Sequence, residues 1–85
     1  MLNSVILTIR VEQSRKEYDL ELPANIPGEE LCWKLLAALK NVDNQAFRFA
    51  ERISLRINQN GKMLGATQTL EDAEIWDGSI LSVMI

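Results

Sequence analysis

Tyr18-Asp19-Leu20-Glu21-Leu22-Pro23-Ala24-Asn25-Ile26-Pro27 is where the chain changes its period. Tyr18, Leu20 and Leu22 alternate with Glu17, Asp19 and Glu21, the two-residue period of a strand with one apolar and one charged face. Pro23 stops that strand because it has no amide to give to a ladder. Pro27 then suits the first position of a helix. Glu29 and Glu30 fall in its first turn, where the helix dipole favours negative charge. At ~3.6 residues per turn, Leu31, Leu35, Ala38, Leu39 and Val42 share one arc, with Cys32 and Leu36 on its border. Trp33 falls on the opposite side, near Glu29 and Lys40.

Working outward, Val5, Leu7, Ile9 and Val11 alternate with Ile6, Thr8 and Arg10, a second half-buried strand. The polar run 13–16 suits the turn that joins the two strands into a hairpin. On the other side of the helix, residues 43–52 leave helix and loop equally open, and Phe47 and Phe49 are expected to anchor this connector to the edge of the core. Ile53, Leu55 and Ile57 form a third strand. Asn60-Gly61 supplies the left-handed backbone of a tight turn, and Lys62-Met63-Leu64 makes a short return strand. Thr69-Leu70-Glu71-Asp72 reads as a capped turn. Asp77-Gly78 turns the chain into a last strand, with Leu81, Val83 and Ile85 on one face and Ser82 and Met84 on the other.

Hairpin, helix, hairpin, turn and strand predict a two-layer α+β domain, a mixed sheet of four to five strands on one main helix. The last strand can lie parallel beside the first because the helix and later segments supply the long crossover. With 85 residues the chain has room for one domain, residues 1–85. At that size ~60% of the unfolded chain's surface is buried, which leaves little volume for an active-site cavity.

Composition narrows the function. Nine Lys and Arg against twelve Asp and Glu give a net charge of −3, which argues against nucleic acid or anionic lipid as partner. Histidine is absent, so the commonest general base and metal ligand is missing. Cys32 is the single cysteine, which excludes an internal disulfide, a cysteine-rich zinc site and an iron–sulfur cluster. Glu71, Asp72, Glu74 and Asp77 lack the ligand spacing and central glycine of a calcium loop and read as a solvated turn. Arg48, Arg52, Arg56 and Lys62 lack the interleaved aromatic platform of a base-stacking surface. Cys32, without a histidine to activate it, is expected to be a buried, inert thiol. We expect no catalytic residues, no metal and no cofactor. The apolar run near Met1 lacks the basic start and cleavage site of a signal peptide and is too short to span a bilayer, so a cytoplasmic protein without membrane insertion is expected.

Asn60-Gly61-Lys62-Met63-Leu64, Thr69-Leu70-Glu71-Asp72, Ile75 and Ser79-Ile80-Leu81-Ser82-Val83 resemble ubiquitin's own run without a gap. Tyr18–Pro27 and Leu70–Leu81 resemble the YukD/EsaB-like family, the ubiquitin-like proteins of type VII secretion systems in Gram-positive bacteria. The resemblance covers most of the chain and is weakest over 43–52. It implies a ubiquitin-like β-grasp and a non-enzymatic accessory or regulatory protein. The partner it implies is a cytoplasmic part of the secretion machinery, or a regulator, that recruits the chain to the inner face of the membrane. A general ubiquitin-like adaptor in an unrelated bacterial complex is the alternative. Conjugation needs a C-terminal Gly-Gly, whereas this sequence ends Met84-Ile85, so a conjugated role is not expected. The position matching the isoleucine at the centre of ubiquitin's recognition patch is Asn58, and Met84 stays apolar at the matching valine.

Two surfaces are candidates for a protein partner. One is the helix's back, where Trp33 is either an exposed anchor or is covered by the connector or Phe47. The other is the outer sheet face with Ile6, Thr8, Arg10, Asp19, Glu21, Arg56, Asn58, Ser82 and Met84. That composition also suits an ordinary solvated face. Trp33, Ile6, Arg10, Arg56, Asn58 and Met84 are the residues singled out. Trp76 is expected to pack structurally beside the third strand's hairpin. Oligomeric state is left open.

Overall fold

A computed structural model describes residues 4–85. The two alternating segments form β1 (Ser4–Val11) and β2 (Lys16–Pro23), paired antiparallel from Ser4↔Pro23 to Val11↔Lys16. This register sets Val5 against Leu22, Leu7 against Leu20 and Ile9 against Tyr18 on one face. Ile6–Glu21, Thr8–Asp19 and Arg10–Glu17 face the other way. A slip of one residue would turn the apolar set outward, so the pattern itself enforces the register.

Helix α1 (Gly28–Val42) lies on the apolar face and buries Leu31, Leu35, Leu36 and Leu39. After Asp43 comes a one-turn helix, α2 (Asn44–Phe47), and then β3 (Ser54–Ile57) and β4 (Ile80–Met84). Among the described residues the sheet has four strands in the order β2-β1-β4-β3. β4 runs parallel to β1 and antiparallel to β3. This mixed sheet on one helix is the ubiquitin-like β-grasp. No helix among the described residues is long and apolar enough to cross a membrane.

The expected return strand at Lys62-Met63-Leu64 shrinks to one bridge, Arg56↔Met63. The Ile57 amide donates to the Lys62 carbonyl (2.8 Å) and the Leu64 amide to the Leu55 carbonyl (2.9 Å). Gly61, at φ +73°, makes the turn that precedes them. The chain then leaves the sheet for the start of α1. There the Gln68 carbonyl accepts the Gly28 amide (2.8 Å) and the Ala66 carbonyl accepts the Glu29 amide (2.9 Å). Helix N-termini carry amides without intrahelical partners, and this loop satisfies two of them. The capped turn forms as expected: the Asp72 amide donates to Thr69 Oγ1 (2.9 Å) and the Thr69 amide to Asp72 Oδ2 (3.2 Å).

Several expectations need correction. The buried arc of α1 is rotated towards Leu36, and Val42 is half exposed, because α2 drives the fully buried Phe47 into the core beyond the helix end. Phe49 does not anchor the connector; it is 86% exposed, with the Arg48 guanidinium 5.2 Å from its ring centroid. Arg48 keeps a helical conformation, and residues two apart in such backbone point ~200° apart. Ile85 lies past the end of β4 and is half exposed instead of sharing the core with Leu81 and Val83. The connector's undecided structure resolves around Asp43. This buried carboxylate accepts the Ser14 hydroxyl at 2.9 Å and so ties the β1–β2 turn to the α1–α2 junction.

Candidate binding surfaces

The outer sheet face is a set of cross-strand rows. Glu17, Arg10, Ser82 and Arg56 form one row across β2, β1, β4 and β3. Arg10 pairs with Glu17 (2.8 Å) and Arg56 with Glu12 (3.1 Å). Thr8 donates to Asp19 (2.8 Å) and Ser4 to Glu21 (2.6 Å). Ser82 was expected to be open on this face and is 0% exposed. It sits on an inner strand between two arginines, and its hydroxyl donates to Asn58 Oδ1 at 2.6 Å. The structure therefore gathers Arg10, Arg56, Asn58 and Met84 around the β4 end of the face, with both arginines already engaged by carboxylates. Ile6 stands apart, half exposed, where its amide donates to Asp77 Oδ1 (2.8 Å) and its carbonyl accepts the Gly78 amide (2.9 Å).

Trp33 belongs to a different surface. It projects from the side of α1 away from the sheet and is 76% exposed, so neither the connector nor Phe47 covers it. Beside it runs an open cleft of about 620 Å³ between α1 and β3, closed at one end by the loop that caps the helix. Cys32, Leu36, Ile53 and Leu55 line it, Trp33 and Met63 stand on its rim, and Glu29, Glu51 and Arg52 supply its charges. Met63, half exposed, was not among the residues singled out from the sequence, where it was placed in a short return strand. Trp76 is corrected likewise. At 58% exposure it does not pack beside the β3 turn, since the turn that follows it is held by its own bonds to Ser79.

The remaining chemistry-bearing groups have other tasks. Asp72 caps its turn and Asp77 holds the Ile6 amide, so two of the four acids near the last turn act on backbone. Cys32 is half buried, not buried as expected, and desolvation raises its pKa, which keeps the thiol protonated. At Asp43 burial opposes ionisation, but the Ser14 hydroxyl, the Ala46 amide, Lys16 and the Tyr18 hydroxyl outweigh it and lower the pKa. Tyr18 is raised, first by desolvation and then by the Asp43 carboxylate beside it.

The model of a family described as "WXG100 protein secretion system (Wss), protein YukD" matches residues 5–83. No curated protein sequence shows significant similarity. Among solved structures, the ubiquitin-like domain of the Mycobacterium tuberculosis type VII secretion system protein EccD1 is similar at 24% identity and a TM-score of 0.75, covering 99% of this chain and 100% of that one. The EccD5 ubiquitin-like domain from Mycobacterium xenopi is similar at 19% identity and a TM-score of 0.81, covering 98% and 94%. A chain of the ESX-5 inner membrane complex is similar over 21% of its own length and 98% of this one, at 22% identity and a TM-score of 0.73.

Proposed function

The chain belongs to the YukD family of the WXG100 protein secretion system, and we propose that it works there as a non-enzymatic accessory or regulatory protein. It acts by binding a protein partner at the cytoplasmic face of a Gram-positive type VII secretion machine and is not conjugated. The family match over residues 5–83 carries this reading. The similarity of the fold to a segment of an inner membrane complex supports a partner within the membrane machinery. Asp43, Asp72 and Asp77 are each committed to holding backbone or neighbouring side chains, which fits a binding role.

The test is deletion of the gene in its native host, which is expected to change the secretion of type VII substrates. A complementing copy extended beyond Ile85 by a few inert residues is expected to restore secretion, as an unconjugated binding protein would. Immunoblots of an epitope-bearing copy show one band at the mass of the free chain. A copy carrying Arg56→Glu and Met84→Asp stays folded and fails to restore secretion if the outer sheet is the contact. It sets like charge beside Glu12, Arg56's present partner, and adds an acid beside it. Normal secretion from that double variant moves the contact to the Trp33 side. An unchanged secretome and an unchanged substrate level in the deletion strain overturn the secretion role and leave the general adaptor.

A further inference from the structure

We propose that Trp33, Glu29 and Glu30 form a receptor on the back of α1 for an arginine side chain of a protein partner. The guanidinium stacks on the indole and bonds to the carboxylates, and an apolar neighbour of that arginine enters the cleft between α1 and β3. The proposal rests on the reading of the chain as a binding protein and adds the site and the partner's chemistry.

The helix brings the three residues together. Glu29 and Glu30 stand four and three positions before Trp33 on α1, the spacing of side-chain neighbours on one stripe. Helical side chains lean towards the N-terminus, so the Trp33 ring is carried towards that first turn. An open depression is lined by Pro27, Glu29, Glu30, Trp33 and Lys34, and Glu29 and Trp33 also line the cleft beside it. The indole is thus a wall between two hollows. Ala37, one turn further on, is too small to cover it.

Both halves of the receptor lack a partner of their own. Acids in a first turn ordinarily serve the helix dipole or cap its amides. Here the Gly28 and Glu29 amides already donate to the carbonyls of Gln68 and Ala66, and no side chain caps the helix start. Among the described residues the ion pairs are Arg10–Glu17 and Arg56–Glu12, so Glu29 and Glu30 are left exposed and unpaired. Lys34 follows Glu30 by four positions, the spacing of a helix ion pair, yet does not pair with it. The aromatic side is open as well. Phe49 holds its own cation, the Arg48 guanidinium, whereas Trp33 has none among the described residues.

Chemistry selects arginine. Indole is the aromatic face that attracts a cation best, and a planar guanidinium can stack on it while its edge donates to carboxylates. The compact ammonium of lysine satisfies fewer of these groups at once. An acidic side chain would meet Glu29 and Glu30 as like charges. The residue next to the arginine meets Cys32, Leu36 and Met63 across the shared indole wall, which favours an apolar one.

The probe is an acetylated, amidated tetrapeptide of alternating leucine and arginine, titrated into the 15N-labelled protein. The Trp33 indole and the Glu29 and Glu30 amides should shift, and the Trp76 indole and the Arg10 amide should not. Citrulline keeps the plane of the guanidinium and loses its charge. In place of arginine it should weaken binding about tenfold, the loss of a cation–π contact and an exposed ion pair. Glutamate in that place should abolish the shifts. Trp33→Leu keeps apolar cover without a ring face, and Glu29→Gln with Glu30→Gln keeps the shape without the charge. All three positions are exposed, so both variants should stay folded, and each should reduce the preference for arginine over citrulline. Absence of shifts at millimolar peptide, equal binding by the citrulline peptide, or an undiminished arginine preference in either variant overturns the proposal. Shifts of the Trp33 indole with protein concentration alone overturn it in favour of a second copy. None of these readouts depends on secretion, so the arginine receptor and the secretion role stand or fall separately.

Discussion

Replacing Gly28 by alanine tests the joint that shapes the Trp33 side of the molecule. A Cβ at Gly28 would collide with the backbone carbonyl oxygen of Gly65 and crowd that of Gln68 at 3.2 Å. Both are backbone atoms, and they cannot swing aside as a side-chain tip does. If they hold, overpacking costs ~1–3 kcal/mol. If the loop retreats, the bonds from Gly28 to Gln68 and from Glu29 to Ala66 are lost, at ~0.5–1.5 kcal/mol each. Alanine returns at most ~1 kcal/mol through its better helix propensity. From the middle of either range, ~2 kcal/mol, the helix return leaves a net loss of ~1–2 kcal/mol, out of the ~4–13 kcal/mol that a chain of this length commands. At ~4–8 °C per kcal/mol, Tm should fall by roughly 10 °C.

Gly65→Ala is the matched control, because a Cβ there meets nothing closer than the Gln68 side chain at 3.6 Å. That change should stay within ~0.5 kcal/mol of wild type. Thermal melts followed by circular dichroism compare the pair directly. A Gly28→Ala protein as stable as Gly65→Ala would mean that helix and loop are not in contact as described, and the cleft beside them would lose one of its walls.

Leu35 is fully buried at the centre of the α1 arc, so Leu35→Ala should cost ~2–5 kcal/mol and bring the protein close to unfolding at 37 °C, as read by chemical denaturation. In a Trp76→Phe background, Trp33 should emit at long wavelength and be quenched readily by iodide, and Trp33→Ala should leave Tm nearly unchanged; blue, unquenched emission would place the ring under cover. Asp43 has a lowered folded pKa, so its stabilising effect is present above the ordinary value of ~3.9 and is lost as pH falls through the folded one. The Tm gap between wild type and Asp43→Asn should therefore be widest near neutrality and close below about pH 4; a gap independent of pH would show that the charge at Asp43 is not what the variant removes.

The sheet and helix were legible because each rests on a period set by one element. Val5 to Val11 and Tyr18 to Leu22 declare their inner faces, and Thr69 and Asp72 declare their mutual cap, without reference to anything distant. Misreadings arose where the deciding neighbour lies far along the chain. Ser82 alternates correctly onto the outer face, yet Arg10 and Arg56 flank it from strands more than twenty residues away. Val42 has the helical spacing of a core residue, but α2 brings Phe47 to the core instead. Phe49 and Trp76 looked like anchors because large aromatics usually are, and propensity says nothing of which way a short turn aims them. For the candidate surfaces, Trp33 was visible by its place on the wheel. The cleft between α1 and β3 was hidden, since its end is closed by the loop that leaves β3 early to cap α1.

The two surfaces ask different things of a partner. On the outer sheet, Arg10, Arg56, Thr8 and Ser4 already have intramolecular partners, so an incoming group must replace a contact as well as make one. Exposed pairs of this kind are worth ~0–1 kcal/mol, so their replacement is cheap but yields little, and what is gained is screened by salt. At the cleft, Trp33 and Met63 hold exposed apolar area without a cover. Covering them replaces contacts with water alone. Covering a residue would therefore remove more apolar area from water on the Trp33 side, where the exposed ring is of the type and size enriched in interface hot spots. The outer sheet is suited to setting orientation and excluding wrong partners by charge. A partner that engages both would draw its affinity from the cleft and its orientation from the sheet.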